Sequence, residues 1–139
     1  MSSPFEGGCA CGAIRYKSNA EPLFAGHCHC TDCQKITGAH MATVVGVAGD
    51  AFTLERGTPK VYETTGESGG KVHRSFCADC GSTLYSTAEA MPGVYFLEAG
   101  SLDDASWLKP SMHIFTASAQ PWARIPEDMD QFEKMPPAG

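Results

Sequence analysis

A period of two runs through the apolar positions of this chain. Ile14 and Tyr16 alternate with Ala13, Arg15 and Lys17, and Val72, Arg74 and Phe76 alternate with Lys71, His73 and Ser75 before running into Cys77. That spacing belongs to strands with one buried face. His40–Val47, rich in Thr and Val, predicts another strand. Phe52–Leu54 and Val61–Glu63 predict two short ones across the turn residues Arg56-Gly57-Thr58-Pro59. Ser82–Ser86, Val94–Glu98 and Met112–Thr116 complete the set. Helical periodicity is confined to about a turn at Asp32–Thr37 and another at Asp103–Trp107. Strands recurring about every 8–12 residues between Gly- and Pro-rich turns predict an all-β fold of layered antiparallel sheets. No repeat or linker interrupts the pattern. The expectation is one domain over residues 1–139, with a core at about 7–125, a tail at 126–139, and loose ends at Met1–Glu6 and Pro136–Gly139.

Composition narrows the class. The chain is 42% apolar, near the globular norm, which argues against general disorder. Its longest uncharged stretches, Ile36–Gly49 and Pro110–Ala123, contain His and fall short of the roughly 18–20 residues a spanning helix needs. The opening Met1–Gly8 has neither a basic nor an apolar run, so a cytoplasmic setting is expected. With 10 basic against 16 acidic residues and a net charge of −6, the chain lacks the positive field of a nucleic-acid binder. Neither nucleic acid nor membrane is an expected partner. The acidic run Glu127, Asp128, Asp130 and Glu133 reads as a solvated tail.

Cysteine carries the chemistry. The seven cysteines fall into Cys9-Ala-Cys11, Cys28-His-Cys30-Thr-Asp-Cys33 and Cys77-Ala-Asp-Cys80. A disulfide framework suits secreted chains and would strand one thiol of an odd count. A redox CxxC uses one cluster and leaves two idle. Metal binding uses all three, because thiolates two or three positions apart chelate one ion from a short turn. Seven divides into a closed four-thiolate zinc site and a three-thiolate site with one open position. Two partitions satisfy that count. Cys9, Cys11, Cys77 and Cys80 form the closed site and leave Cys28, Cys30 and Cys33, or Cys30, Cys33, Cys77 and Cys80 form it and leave Cys9, Cys11 and Cys28. Gly12 and Gly81 each follow a cluster, where a residue without Cβ lets the backbone turn and aim N–H groups at sulfur.

Other residues invite duller readings. His29 on a strand points away from Cys28 and Cys30, and His27 flanks the same run. Lys35 reads as a solvated lysine and His113 as a satisfied strand residue. Arg74, on the parity of Val72 and Phe76, predicts partial burial with an acidic partner. Ser82 either donates to a thiolate or ends a turn, and Pro121-Trp122 packs a core edge or lines a pocket. Gly66–Lys71 is not a phosphate loop, since Thr65 stands where the first glycine belongs.

Taken in order, Gly8-Cys9-Ala10-Cys11-Gly12, Cys28-His29-Cys30-Thr31-Asp32-Cys33-Gln34-Lys35, Phe76-Cys77-Ala78-Asp79-Cys80-Gly81-Ser82 and Gly100-Ser101-Leu102-Asp103-Asp104 form a familiar series. With Pro110-Ser-Met-His113-Ile114 and Pro121-Trp122 after them, the chain resembles the glutathione-dependent formaldehyde-activating enzyme (GFA) family from about Gly7 to Trp122. That family also contains a centromere-associated eukaryotic protein. The resemblance implies a zinc-stabilised fold of the β-tent type. It also implies a structural zinc on Cys9, Cys11, Cys77 and Cys80, and a second, labile zinc on Cys28, Cys30 and Cys33. Gln34 stands where many relatives carry Arg.

The activity implied is that of a carbon–sulfur lyase or synthase acting on a thiol–aldehyde adduct such as S-hydroxymethylglutathione. A glutathione-like thiol and an aldehyde, formaldehyde in the named reaction, are then the partners. A free thiol of pKa about 8.5 is mostly protonated at neutral pH, and a zinc with an open position lowers that value. The alternative is a non-catalytic zinc-binding module that carries a thiol or binds a protein partner.

A zinc shared between Cys11 and Cys77 ties the first strands to the middle of the chain, and structural zinc contributes on the order of 10 kcal/mol. The Cys9→Ser, Cys11→Ser double variant is therefore expected to unfold far below the parent protein. An unchanged melting profile refutes this.

Overall fold

The computed structural model describes residues 4–136. The segments read as strands fold as predicted: β2 (Arg15–Ser18), β4 (Ala42–Ala48), β5 (Phe52–Arg56), β6 (Lys60–Thr65), β7 (Lys71–Phe76), β8 (Thr83–Ala88), β9 (Val94–Glu98) and β10 (Met112–Ile114). One α-helix, α1 (Thr31–Thr37), lies at the predicted helical turn. Three further strands, β1 (Phe5–Gly8), β3 (Phe24–Cys28) and β11 (Asp130–Gln131), complete two sheets. The smaller sheet runs β1-β2-β5 and the larger β11-β10-β3-β4-β9-β8-β7-β6.

Register assigns the faces of the large sheet. Cys28 pairs with Ala42, Val44 with Glu98, Phe96 with Gly46 and Ser86, and Ser86 with Arg74. Paired residues and those two apart share a face, so Cys28, Val44, Glu98, Ser86 and Arg74 project from one side. From the opposite side Val45, Val47 and Leu97 (all 0% exposed) meet Tyr16 of the small sheet. Phe52 seals this layer with ring centroids 5.4 Å from Tyr16, 4.8 Å from Tyr85 and 4.5 Å from Tyr95. Each fully buried side chain of this size contributes about 1.5–3 kcal/mol. The layered all-β architecture expected from the sequence is thus present, with its apolar core on one face and Cys28 on the other.

Four expectations require correction. The residues at Phe5 and Glu6 are not loose, since Phe5 is buried and β1 pairs with β2. β3 went unread because both of its faces are covered, which erases the alternation: Ala25, Gly26 and Cys28 are all buried. The sheets are not wholly antiparallel, for β10 runs parallel to both β3 and β11. Beyond residue 125 the acidic side chains Glu127, Asp128, Asp130 and Glu133 are exposed as expected, but the backbone is paired. The Phe132 N–H donates to the His113 carbonyl at 2.9 Å, and the Phe115 N–H to that of Lys134 at 3.2 Å.

Asp103–Trp107 is not helical. The Asp104 carboxylate accepts from the Ser106 N–H at 2.9 Å and its hydroxyl at 2.7 Å, a local turn that competes with a helix, while Asp103 is held by Arg15. Pro137–Gly139 and Met1–Ser3 of the expected loose ends lie outside the described residues.

Leu97→Ala is expected to cost about 2–5 kcal/mol in denaturant unfolding, whereas Val61→Ala, on an exposed edge, should stay within about 0.5 kcal/mol. Equal effects would misplace the core.

Candidate metal centres

The first cluster is built by two tight turns. β1 leads into Cys9 and Cys11, and β7 ends directly before Cys77 and Cys80. Gly12 and Gly81 sit at φ 81° and 79°, a region costly to any residue with a Cβ. Their own N–H groups close the turns onto the carbonyls of Cys9 (3.1 Å) and Cys77 (2.8 Å). The N–H groups that reach sulfur come from neighbours, such as that of Ile14 at 3.2 Å from Cys9 Sγ. Ser82 accepts from the Ala10 N–H at 2.9 Å and lies 3.2 Å from Cys80 Sγ, leaving its hydroxyl proton for the sulfur. This hydrogen bond, with the Ser82 N–H, holds Cys80 down to about 5. The Ala13 N–H pulls Cys11 down, but its hydrogen bonds with Cys9 and Cys80 outweigh that and push it up to about 12.

The four sulfur atoms lie within 4.8 Å of one another, with Cys9–Cys11 at 3.7 Å and Cys11–Cys77 at 3.8 Å. A tetrahedron with metal–sulfur bonds of about 2.3 Å has edges of about 3.8 Å. Disulfide sulfurs would be about 2.0 Å apart. All seven cysteines are free, and this set fits a closed four-sulfur metal site.

Cys28, Cys30 and Cys33 form the second cluster, again within 4.8 Å of one another. Cys28 is the last residue of β3, and Cys30 caps α1 by accepting the Cys33 N–H at 3.2 Å. Gly38, left-handed at φ 71°, ends the helix after two turns. Among the described residues no fourth Cys, His, Asp or Glu atom joins the group. Hydrogen bonds from Cys28 and Cys33 hold Cys30 down to about 2, and the same bond pushes Cys28 up. Without a cation the cluster keeps only part of its sulfur ionised, because adjacent like charges oppose one another. The rival partition, with Cys30 and Cys33 beside Cys77 and Cys80, is not what the fold assembles.

Arg74 reaches the second cluster, its Nη1 lying 3.9 Å from Cys33 Sγ. The acidic partner expected for it is absent among the described ion pairs, and its Nε is buried without a hydrogen-bond acceptor. Thiol sulfur takes the carboxylate's place. Gln34 ties α1 down, donating to the carbonyls of His29 (2.7 Å) and Ser118 (3.1 Å) and accepting from Gln120 at 2.8 Å. Lys35 is exposed. Trp122 is 67% exposed against His40, so it does not pack a core edge.

Three imidazoles stack beside the second cluster, with His113 between His27 (4.6 Å) and His29 (5.1 Å). His29 Nε2 and His113 Nδ1 lie 2.8 Å apart, and His29 Nδ1 is buried without a partner. An orphaned acceptor costs less than an orphaned donor, which assigns the proton to His29 Nε2. Burial lowers all three, His27 to about 4, so they are neutral. His113 is the satisfied strand residue expected.

Two cavities share the lining residues Ile36, Gly81 and Thr83. The larger, about 700 Å³, reaches from Cys9 and Ser82 to Thr37 and Glu98; the smaller, about 350 Å³, is lined by Arg74 and Tyr62. Glu98 was read only as a strand terminus, although a lone carboxylate ending Val94-Tyr-Phe-Leu is itself a signal.

The family model for the glutathione-dependent formaldehyde-activating enzyme matches residues 4–118. The chain belongs to this family. A Halomonas elongata protein whose name provisionally reads "glutathione-dependent formaldehyde-activating enzyme" is 27% identical over 126 residues, 86% of this chain and 80% of that protein. The crystal structure of a Rhodobacter sphaeroides protein shares the fold, with a TM-score of 0.58 and 22% identity over 76% of this chain and 91% of that one.

Outer groups that polarise ligands typically change metal affinity about 10–100-fold. Arg74→Gln is expected to release metal from the Cys28–Cys33 cluster to a chelator about that much more readily, leaving the four-cysteine cluster unaffected. Indistinguishable release from both proteins would show that the guanidinium does not act on Cys33.

Proposed function

We propose that this protein is a zinc-dependent carbon–sulfur lyase or synthase acting on a thiol–aldehyde adduct such as S-hydroxymethylglutathione, and that it works in the cytoplasm, where seven free cysteines stay reduced. The observation that carries the reading is the second cluster: three sulfurs with no fourth ligand atom beside them among the described residues. Family membership supplies the thiol and the aldehyde. In this reading Cys9, Cys11, Cys77 and Cys80 hold a structural zinc, and Cys28, Cys30 and Cys33 hold a second, labile one.

The donor set suits that metal, since thiolate is a preferred zinc ligand and four-sulfur sites are closed while three-ligand sites leave a position free. A zinc bound by Cys28, Cys30 and Cys33 supplies positive charge that lowers the pKa of an entering thiol. The chain's own residues do the rest. α1 fixes the spacing of Cys30 and Cys33, Gln34 fixes the helix to the strand that carries Cys28, and Arg74 adds a permanent positive charge at Cys33. In the synthetic direction the thiol S–H bond breaks and sulfur bonds to the aldehyde carbon. The carbonyl π pair moves onto oxygen, and oxygen takes up the proton. The lyase direction is the reverse.

No helix among the described residues is long and apolar enough to cross a membrane. Exchange spectroscopy on the zinc-replete protein with glutathione and formaldehyde tests the reading. Interconversion of free and hydroxymethylated thiol should exceed the buffer rate, and Cys30→Ser should abolish the excess and lose the metal of that cluster alone. A wild-type rate equal to that of buffer sinks the enzymatic reading and leaves a zinc-binding module.

A further inference from the structure

The smaller cavity, about 350 Å³, is lined by α1 together with the edge strands of the large sheet. Ile36 of α1 and Thr83 of β8 form one side, and the Thr83 hydroxyl donates to the Ile36 carbonyl at 3.3 Å, tying helix to sheet. Tyr62 of β6 and Phe76 of β7 supply aromatic walls. Arg74 is the charged residue among those described as lining it. Register sets Arg74 directly opposite Tyr62, so the two side chains share a face.

Arg74 is only 9% exposed, and its hydrogen-bonding capacity is largely unmet. A guanidinium carries several N–H donors in a planar fork. Among the described residues its one hydrogen-bond contact is Nη1 with Cys33 Sγ, at 3.9 Å, and Nε is buried with no acceptor. No ion pair includes it, since Glu98, the carboxylate on the same face, lies across β8. A charge buried this deeply is ordinarily matched by an anion and by hydrogen bonds that satisfy its remaining donors. A carboxylate meets both needs, because its two oxygens accept a parallel pair of guanidinium N–H bonds.

We propose that the smaller cavity is a carboxylate subsite anchored by Arg74, and that the substrate thiol carries a carboxylate within a few bonds of its sulfur. That the ligand is a thiol rests on the reading under Proposed function; the carboxylate subsite rests on Arg74 and the cavity. Proximity sets the class. The guanidinium that lines the cavity also touches Cys33, so an acid group held there lies beside the second cluster. Ile36, one turn beyond Cys33 on α1, and the rings of Tyr62 and Phe76 offer apolar surface to the methylene groups in between. A mercaptocarboxylate has its parts in that order: acid, short apolar chain, sulfur. Binding of the acid, remote from the reacting sulfur, orients the thiol before its bond to carbon forms.

The first probe is S-methyl-β-mercaptopropionate, which has the acid and no thiol, compared with its uncharged amide. In an NMR titration of the zinc-replete protein the acid should bind about 10–100-fold more tightly than the amide, the range for hydrogen bonds to a charged partner. It should also show NOEs to Ile36 and Phe76. Arg74→Gln should erase the preference while leaving the affinity for the amide unchanged, and Arg74→Lys should keep part of it. Equal affinities in wild type overturn the proposal without any variant. A preference that survives Arg74→Gln also overturns it, because another cation then holds the acid, as do NOEs confined to other surfaces. In formaldehyde exchange above the buffer rate, β-mercaptopropionate should exceed its amide in kcat/KM by ~10-fold or more, a gap that Arg74→Gln closes. Wild-type exchange that favours neither thiol overturns the substrate class. Exchange at the buffer rate with both overturns the reading under Proposed function instead, and the acid–amide comparison then decides the subsite by itself.

Discussion

Sulfur atoms within 4.8 Å of one another cannot all carry charge unless a cation stands among them, and this protein gathers two such groups. The constraint reaches into every layer. The first group sits where β1 ends and β7 ends, so it joins the small sheet to the large one. The second joins the end of β3 to the only helix among the described residues. That helix has two turns and no buried residue, too short to stand without its ends fixed. Cys30 caps its start, Gly38 ends it and Gln34 anchors its middle, so the geometry of the second cluster is held by hydrogen bonds rather than by apolar packing.

The two faces of the large sheet divide the labour. One face buries Val45, Val47 and Leu97 against aromatic rings of the small sheet, which is where hydrophobic burial stabilises the fold. The other carries Cys28, Arg74 and Glu98, groups costly to bury unless a ligand or metal compensates them. A strand alternation that reads in sequence as half-buried is therefore half core and half site. The neutral rings of His27, His113 and His29 lie together at β10, with one hydrogen bond between His29 and His113 and His29 Nδ1 left without a partner.

Much of this was legible beforehand. Period-two alternation located β2 and β7, because a side chain's face follows from its parity alone, and short β-branched or apolar runs between turn residues located six more strands. The cysteine spacing announced metal chemistry, because two thiols on one short turn can face one ion wherever that turn lies. Gly12 and Gly81 were readable as turn glycines, although the N–H groups that reach sulfur belong to other residues. β3 was not legible, since a strand covered on both faces has no alternation to show. Asp103–Trp107 looked helical until a side chain captured its backbone.

By itself, then, the sequence determined the strands, the three thiol-bearing turns and their kinship with a family, all of them properties carried by neighbouring residues. Only the tertiary structure decided which turns meet, that Arg74 answers to a sulfur instead of a carboxylate, and that Glu98 stands without a hydrogen-bond donor beside a cavity. Those facts depend on strand register and sheet order, which join residues far apart in the chain. No local pattern encodes which distant strands will pair, because that choice is made by the summed burial of the whole core.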